Sequence, residues 1–215
     1  MATTKLCLIR HGETTWNTER RLQGHTDIPL NANGALQARQ MAQALKDIKL
    51  TFDFLYTSDL KRAADTANAV VELFGIEAKV DSALRERHFG ALQGLSIPEA
   101  PALRPDIWQA HIARDLEHDL EGGESIRQFA LRVENALEKI QSRHRGKTIL
   151  IVSHGGTLDM MYRLASKQAL NTDRIVSVPN ASLNWITHSE VDGWAVGQWA
   201  DTRHLDGPAL ENVDA

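Results

Sequence analysis

Two short segments carry residues suited to chemistry. Arg10-His11-Gly12-Glu13 and Ser153-His154-Gly155-Gly156 each place a histidine before glycine, directly after an apolar run. A neutral imidazole is a nucleophile or a proton carrier near neutral pH, and an adjacent glycine lets backbone approach a ligand closely. Turn N–H groups at such a strand end can also face an anion. One segment alone is weak evidence, because histidine is frequent in loops, but the repeat of the arrangement makes coincidence a poor explanation. Arg62, taken alone, reads as a solvated arginine in the first turn of a helix. Glu13 reads as a solvated loop carboxylate without a chemical role.

The elements that must position these residues are legible from periodicity. Lys5-Leu6-Cys7-Leu8-Ile9 and Thr148-Ile149-Leu150-Ile151-Val152 are short apolar runs of the kind found in strands buried on both faces of a parallel sheet. Asn31 can cap a helix whose Ala35, Ala38, Ala42 and Leu45 share one side. Phe52 to Tyr56 reads as a strand, and Ser58 as the cap of a helix carrying Leu60, Ala63, Ala64, Ala67, Val70, Val71 and Phe74 and ended by Gly75. Ala78 to Val80 suits a third short strand. Residues 95 to about 121 contain Pro98, Pro101 and Pro105 and lack clear periodicity, which suggests an excursion of short helices on the rim, a candidate lid. Ser125-Ile126-Arg127-Gln128 has capping-box spacing, and Ile126, Phe129, Val133, Leu137 and Ile140 then form one stripe. A further helix is expected from about Thr157, and Leu183 to Thr187 and Trp194 to Trp199 read as a final pair of strands. Strands alternating with helices imply an α/β fold with a mostly parallel sheet, in which ligands bind beyond the carboxyl ends of the strands. His11 and His154 would then meet in space.

Composition limits the alternatives. The 215 residues suit one domain spanning 1–215, and a net charge of -4 argues against a nucleic-acid-binding surface. The single cysteine, Cys7, rules out an internal disulfide and a cysteine-based zinc site and fits a reducing compartment. No apolar run is long enough for a bilayer span and no signal-peptide pattern precedes the first strand, so a cytoplasmic protein with no membrane partner is expected. His25, His111, His118, His144, His188 and His204 lack metal-ligand spacing, and no metal is implied. Gly146-Lys147-Thr148 ends like a P-loop but precedes a strand and lacks the earlier glycine. A serine-hydrolase reading of Ser153-His154 fails because no G-x-S-x-G elbow is present.

Leu8-Ile9-Arg10-His11-Gly12-Glu13-Thr14-Thr15-Trp16-Asn17 resembles the signature of the histidine phosphatase superfamily, in its phosphoglycerate-mutase-like branch. Arg21-Leu22-Gln23-Gly24, Ser58-Asp59-Leu60-Lys61-Arg62-Ala63, Leu84 to Gly94, Gly122-Gly123-Glu124-Ser125 and Val152-Ser153-His154-Gly155 resemble the family's successive blocks in order, over about residues 5 to 200. The resemblance implies a three-layer α/β/α sandwich. It makes His11 the nucleophile that becomes a phosphohistidine, with Arg10, Arg62 and His154 around the phosphoryl group. Asn17 and Gln23 would add polar contacts, Gly24 and Gly155 close backbone approach, and Glu86 the proton donor and acceptor. Those residue types fit the chemistry, because a transferring phosphoryl group spreads negative charge over its oxygens and the arginine fork matches it. His11 must be neutral to attack, and an exposed glutamate would be the wrong residue for Glu86's role.

Two activities share this core. One is a metal-independent phosphatase acting on small phosphate monoesters; the alternative is a 2,3-bisphosphoglycerate-dependent phosphoglycerate mutase, which alone would need 2,3-bisphosphoglycerate as a primer. They differ in whether the phosphoenzyme is shielded from water and whether the pocket grips a small carboxylate. Glu86 to Leu95 is close to the mutase pattern, whereas Leu95-Ser96-Ile97-Pro98 lacks its basic residue and the blocks at 21–27 and 122–125 look more like the small phosphatases. The phosphatase is the favoured reading, with a small phosphorylated metabolite as its partner. Arg104, Arg114, His111 and His118 are candidates for contacting a second anionic group on the substrate, and His88 and Glu124 for lining or bracing the pocket. The last two strands offer an edge for a homodimer.

Overall fold

The computed structural model describes residues 2–211. In chain order its elements are β1 (Thr4–Arg10), α1 (Thr15–Thr18), α2 (Ala32–Asp47), β2 (Phe54–Thr57), α3 (Lys61–Phe74), β3 (Ala78–Val80) and the rim helices α4 (Glu99–Leu103) and α5 (Pro105–Ile112). The second half adds α6 (Ile126–Arg143), β4 (Thr148–Ser153), α7 (Gly155–Ser166), β5 (Leu183–Ser189) and β6 (Gly193–Val196). The strands form one six-stranded sheet in the order β3-β2-β4-β1-β5-β6. β1, β2, β3 and β4 run parallel, and β5 and β6 are antiparallel additions at one side.

Alternation along the central strands explains the layers. Cys7, Ile9, Leu55, Leu150 and Val152 face Met41 and Leu45 of α2 and Ala63, Ala67 and Val70 of α3. Leu6, Leu8, Ile149 and Ile151 point the other way, into Phe129, Val133 and Leu137 of α6 and Met161 of α7. The result is a three-layer α/β/α sandwich, with a separate cluster of Leu22, Phe89, Leu92, Ile107 and Leu120 beneath α4 and α5. Because both central strands are covered twice, truncating Ile151 to alanine would cost about 2–5 kcal/mol.

The pairing Arg10 to Ser153 aligns the ends of β1 and β4 in register, so the two histidines that follow emerge side by side. α2 and α6 begin as the sequence suggests. The Asn31 side chain accepts from Gly34 N–H, and Ser125 and Gln128 form a reciprocal capping box. Two helix starts differ from expectation. α3 is not capped by Ser58: Leu60 occupies the cap position and Lys61 N–H donates to Asp27 Oδ1 (2.7 Å), a partner from a distant loop. α7 begins at Gly155, two residues earlier than periodicity suggests, because β4 turns into it with His154 in extended backbone as the N-cap.

Candidate active site

His11 leaves β1 with its backbone N–H still donating to Ser153 O (2.9 Å). Its Nδ1–H donates to Gly12 O (2.7 Å), which fixes the tautomer and leaves the Nε2 lone pair as the reactive position. Asn180 Nδ2 holds the His11 carbonyl at 2.9 Å, and Gly12 N–H donates to Thr66 Oγ1 (3.0 Å) of α3. A side chain at Gly12 would overlap the backbone of Gly34, so this glycine admits the start of α2 rather than a ligand.

Helical position alone puts Arg62 in solvent, yet it is 0% exposed. Its NH1 donates to Thr26 O (2.9 Å) and its NH2 to Gly24 O (2.7 Å), which anchors the guanidinium against the 24–26 loop. Gly24 has a left-handed φ of 51°, a conformation that turns its carbonyl to this position at little cost for glycine. Arg10 is buried too, and its NH1 donates to Val178 O (2.7 Å) and Leu210 O (3.0 Å). Backbone carbonyls thus help to fix both guanidiniums, and the positive charge of each acts on the His11 ring.

His154 sits with its ring centroid 5.2 Å from that of His11. Ser58 Oγ accepts from Leu60 N–H (3.3 Å) and shares a hydrogen bond with His154 Nε2 at 2.9 Å. His154 Nδ1 is buried without a hydrogen-bond partner among the described residues. Burial pushes both imidazoles well below the usual histidine range, and Arg62 is the next cause for each. Both rings are therefore neutral at pH 7.

Glu86 is buried beside the start of α7. Its Oε1 accepts from Arg87 N–H (2.9 Å) and its Oε2 from Gly156 N–H (2.8 Å). A Cβ on Gly156 would overlap Glu86 Oε1, so glycine at this position makes room for the carboxyl. The Glu86 carbonyl is clamped by His25 Nε2 (2.8 Å) and by Arg132 NH2 (3.0 Å), while Arg132 also pairs with both oxygens of Glu124. Glu124 accordingly braces the 83–88 segment, and His88 donates its N–H to the same carboxylate (2.9 Å).

Asn17 and Gln23 are buried nearby. Asn17 Oδ1 is committed to Thr14 N–H (3.0 Å) in the capping box of α1, which leaves its amide NH2 as its donor group. Gln23 Oε1 is buried without a hydrogen-bond partner among the described residues. Glu13 is not in solvent: it is 7% exposed and accepts from Asn31 Nδ2 (2.8 Å), bracing the start of α2.

Next to Glu86 lies a cavity of about 240 Å³ whose walls include Arg87, His111, Arg114, Phe129, Asp159 and Arg174. Of the four rim residues considered from sequence, His111 and Arg114 reach it. Arg104 is exposed, and His118 Nδ1 is used locally by Leu120 N–H (2.9 Å). Sequence reasoning missed Arg87, Asp159 and Arg174. The i,i+4 spacing of Asp159 and Arg163 inside an otherwise apolar helix was the available signal.

His111 gives a pH prediction. Burial, then the charges of Arg87 and Arg114, carries its pKa from 6.5 down to about 3. Between those pH values the unfolded chain binds a proton that the folded one does not, so stability is present above pH 6.5 and lost as pH falls. His111→Gln should make the fall in unfolding free energy shallower by about 1.4 kcal/mol per pH unit between pH 6 and 4. Urea unfolding at pH 6, 5 and 4 measures it, and an unchanged slope would contradict a buried neutral His111.

The model of the histidine phosphatase superfamily (branch 1) matches residues 6–202, and this chain belongs to that superfamily. Phosphoglycerate mutase-like protein 4 of Arabidopsis thaliana is 38% identical over 205 residues, covering 94% of this chain and 87% of its own length. Metal-independent phosphoserine phosphatase from the same plant is 38% identical over 206 residues, covering 94% and 83%. The phosphoserine phosphatase of Entamoeba histolytica, solved as a mutant with phosphoserine and also with 3-phosphoglyceric acid, superposes with a TM-score of 0.83. It is 27% identical, over 94% of this chain and 99% of the other.

Proposed function

We propose that the protein is a metal-independent phosphatase that hydrolyses small phosphate monoesters through a phosphohistidine on His11. One observation carries the reading: His11 is neutral, its Nε2 is the unprotonated ring nitrogen, and the guanidinium charges of Arg62 and Arg10 act on its ring. The whole chain is read as one catalytic domain, with residues 95 to 121 as its rim. Phosphoserine phosphatases match in both sequence and structure, which favours hydrolysis over the mutase alternative.

In this mechanism His11 Nε2 attacks phosphorus and the bond to the ester oxygen breaks. Glu86 gives that oxygen its proton. Gly12 O, already bonded to Nδ1–H, meets the positive charge that develops on the ring. Arg10, Arg62 and His154 meet the equatorial oxygens, joined by Asn17, Gln23 and the backbone at Gly24 and Gly155. Water then attacks the phosphohistidine, Glu86 takes its proton, the P–N bond breaks and neutral His11 is restored. Arginine charge does the work that a metal does elsewhere, so no cofactor enters this reading.

The test is one assay in EDTA with 3-phosphoglycerate, phosphoserine and a catalytic amount of 2,3-bisphosphoglycerate, quantifying free phosphate and 2-phosphoglycerate together. Phosphate release without isomerisation is expected. Rapid interconversion with little free phosphate would establish the mutase instead. A sharper geometric prediction concerns Gly156→Ala, whose new Cβ would overlap Glu86 Oε1. Displacing the carboxyl by a fraction of an ångström should lower kcat at least about 10-fold on alkyl phosphates. Steady-state kinetics measure it, and wild-type kcat would contradict the placement of Glu86 at the leaving oxygen.

A further inference from the structure

Gln37 is the polar member of a buried stripe on α2 that otherwise consists of Gly34, Ala38, Met41, Ala42 and Leu45. It is 3% exposed. A buried amide is costly unless it is hydrogen-bonded, and an aliphatic side chain would occupy the same place on the helix without that cost. The polar group has a specific partner. Gln37 Oε1 accepts from Glu13 N–H at 2.9 Å, close beyond the nucleophile in sequence. Gly34 permits the approach, because a Cβ there would overlap the Glu13 backbone.

The bond matters because of the peptide group it meets. The N–H of Glu13 and the C=O of Gly12 belong to one planar unit. That carbonyl accepts from His11 Nδ1–H at 2.7 Å. A continuous chain therefore runs from Gln37 Oε1 through a single peptide group to the ring that attacks phosphorus. The preceding peptide is pinned at both ends too, by Asn180 Nδ2 on His11 O and by Thr66 Oγ1 on Gly12 N–H, but neither of those bonds involves the ring. Hydrogen bonds linked in a chain polarise one another, so the bond at Glu13 N–H makes the Gly12 carbonyl a better acceptor. Burial, Arg62 and Arg10 all act against a charged His11, whereas the bond to Gly12 O acts the other way.

We propose that Gln37 is a positioning residue for the nucleophile: by holding the Gly12–Glu13 peptide it aims His11 Nε2 and strengthens the carbonyl that supports the ring as charge develops. The inference rests on the phosphatase reading for the direction of attack. The Nε2 lone pair forms the bond to phosphorus, the ester P–O bond breaks, Glu86 protonates the departing oxygen, and the ring becomes cationic with Nδ1–H retained. A peptide carbonyl is too weak a base to remove that proton, so it meets the charge as an acceptor only. When water attacks, Glu86 takes its proton and the P–N electron pair returns to Nε2 with the tautomer unchanged.

The test compares Gln37→Met, which removes the acceptor but keeps an unbranched side chain, with Asn31→Ala. Asn31 also ties α2 to Glu13, through its N–H to Glu13 O (3.0 Å) and its Nδ2 to Glu13 Oε1 (2.8 Å), but neither bond touches the Gly12–Glu13 peptide. Gln37→Met should lower kcat by about 10-fold or more, alike on p-nitrophenyl phosphate and an alkyl phosphate because Glu86 is untouched. The inhibition constant of inorganic phosphate should stay within about 3-fold of wild type, as should kcat in Asn31→Ala. Gln37→Glu, which keeps an oxygen toward Glu13 N–H, should recover most of the loss. Equal losses in Gln37→Met and Asn31→Ala, or a loss of phosphate affinity as large as the loss in kcat, would reduce Gln37 to a structural contact and overturn the proposal. If Gln37→Met does not fold, Gln37→Asn, whose amide falls one carbon short, is read by the same criteria.

Proton NMR of the unliganded, isotope-labelled protein gives a readout that does not need turnover. The His11 Nδ1–H signal, assigned by its absence in His11→Ala, should move upfield in Gln37→Met as the bond to Gly12 O weakens, and return in Gln37→Glu. An unmoved signal overturns the proposal whatever the kinetics. A moved signal supports the coupling even where the wild type fails to hydrolyse phosphate esters, a failure that would count against the phosphatase reading alone.

Discussion

His11→Ala should lower kcat by about five orders of magnitude on every phosphate ester, the scale seen when a covalent nucleophile is removed. No neighbouring group can replace it. His154 Nε2 is engaged with the Ser58 hydroxyl at 2.9 Å. The arginines are donors only, and Cys7 lies within the sheet core with a thiol that burial pushes far above its usual range. The fold should survive, because His11's backbone bonds to Ser153 and Asn180 do not involve the ring. Binding of inorganic phosphate should persist through Arg10, Arg62 and His154. Initial rates together with a thermal melt separate the outcomes, and a loss below 100-fold in a folded protein would remove His11 from the nucleophile's role.

Glu86→Gln should have the second largest effect, and its signature lies in the leaving group. An alkoxide needs a proton as it departs, so alkyl phosphates should slow by about 10²- to 10⁴-fold, the usual range for losing a general acid. p-Nitrophenolate leaves unprotonated, and its ester should slow much less. The substitution also places an NH2 where an oxygen accepted from Arg87 N–H or Gly156 N–H, which adds a modest loss common to both substrates. Equal loss on p-nitrophenyl phosphate and an alkyl phosphate would remove Glu86 from the acid's role. Because Arg132 and His25 hold the Glu86 backbone, Arg132→Ala should show a weaker form of the same leaving-group dependence.

Much of the frame was readable because its signals are local. The short apolar runs in Lys5 to Ile9 and Thr148 to Val152, buried on both faces, the Asn31 cap and the Ser125 capping box all act within a few residues. The parallel register that brings His11 and His154 to a centroid distance of 5.2 Å follows from two strands of like character ending at like motifs. What periodicity missed depends on distant partners. Arg62 is buried because the 24–26 loop folds over it, and Asp27 displaces Ser58 as the anchor of α3 for the same reason. Glycine is needed at 156 because Glu86, remote in sequence, occupies the space a side chain there would take. The charge cluster at Asp159 joins α7, the rim and the segment after α7, and only its i,i+4 pair with Arg163 is visible along one element. The blocks that resemble the superfamily supplied roles for His11, Arg62 and Glu86 that helix and strand patterns could not.

The most direct test of the central claim is to trap the covalent intermediate. The wild-type protein, mixed with [32P]phosphoserine or [32P]3-phosphoglycerate in EDTA and quenched in base within milliseconds, should carry label that is stable to alkali and released by acid. Peptide mapping should place it on His11, and His11→Ala should carry none. Label on any other residue, or turnover at wild-type rates with no label at any quench time, would contradict a phosphohistidine mechanism.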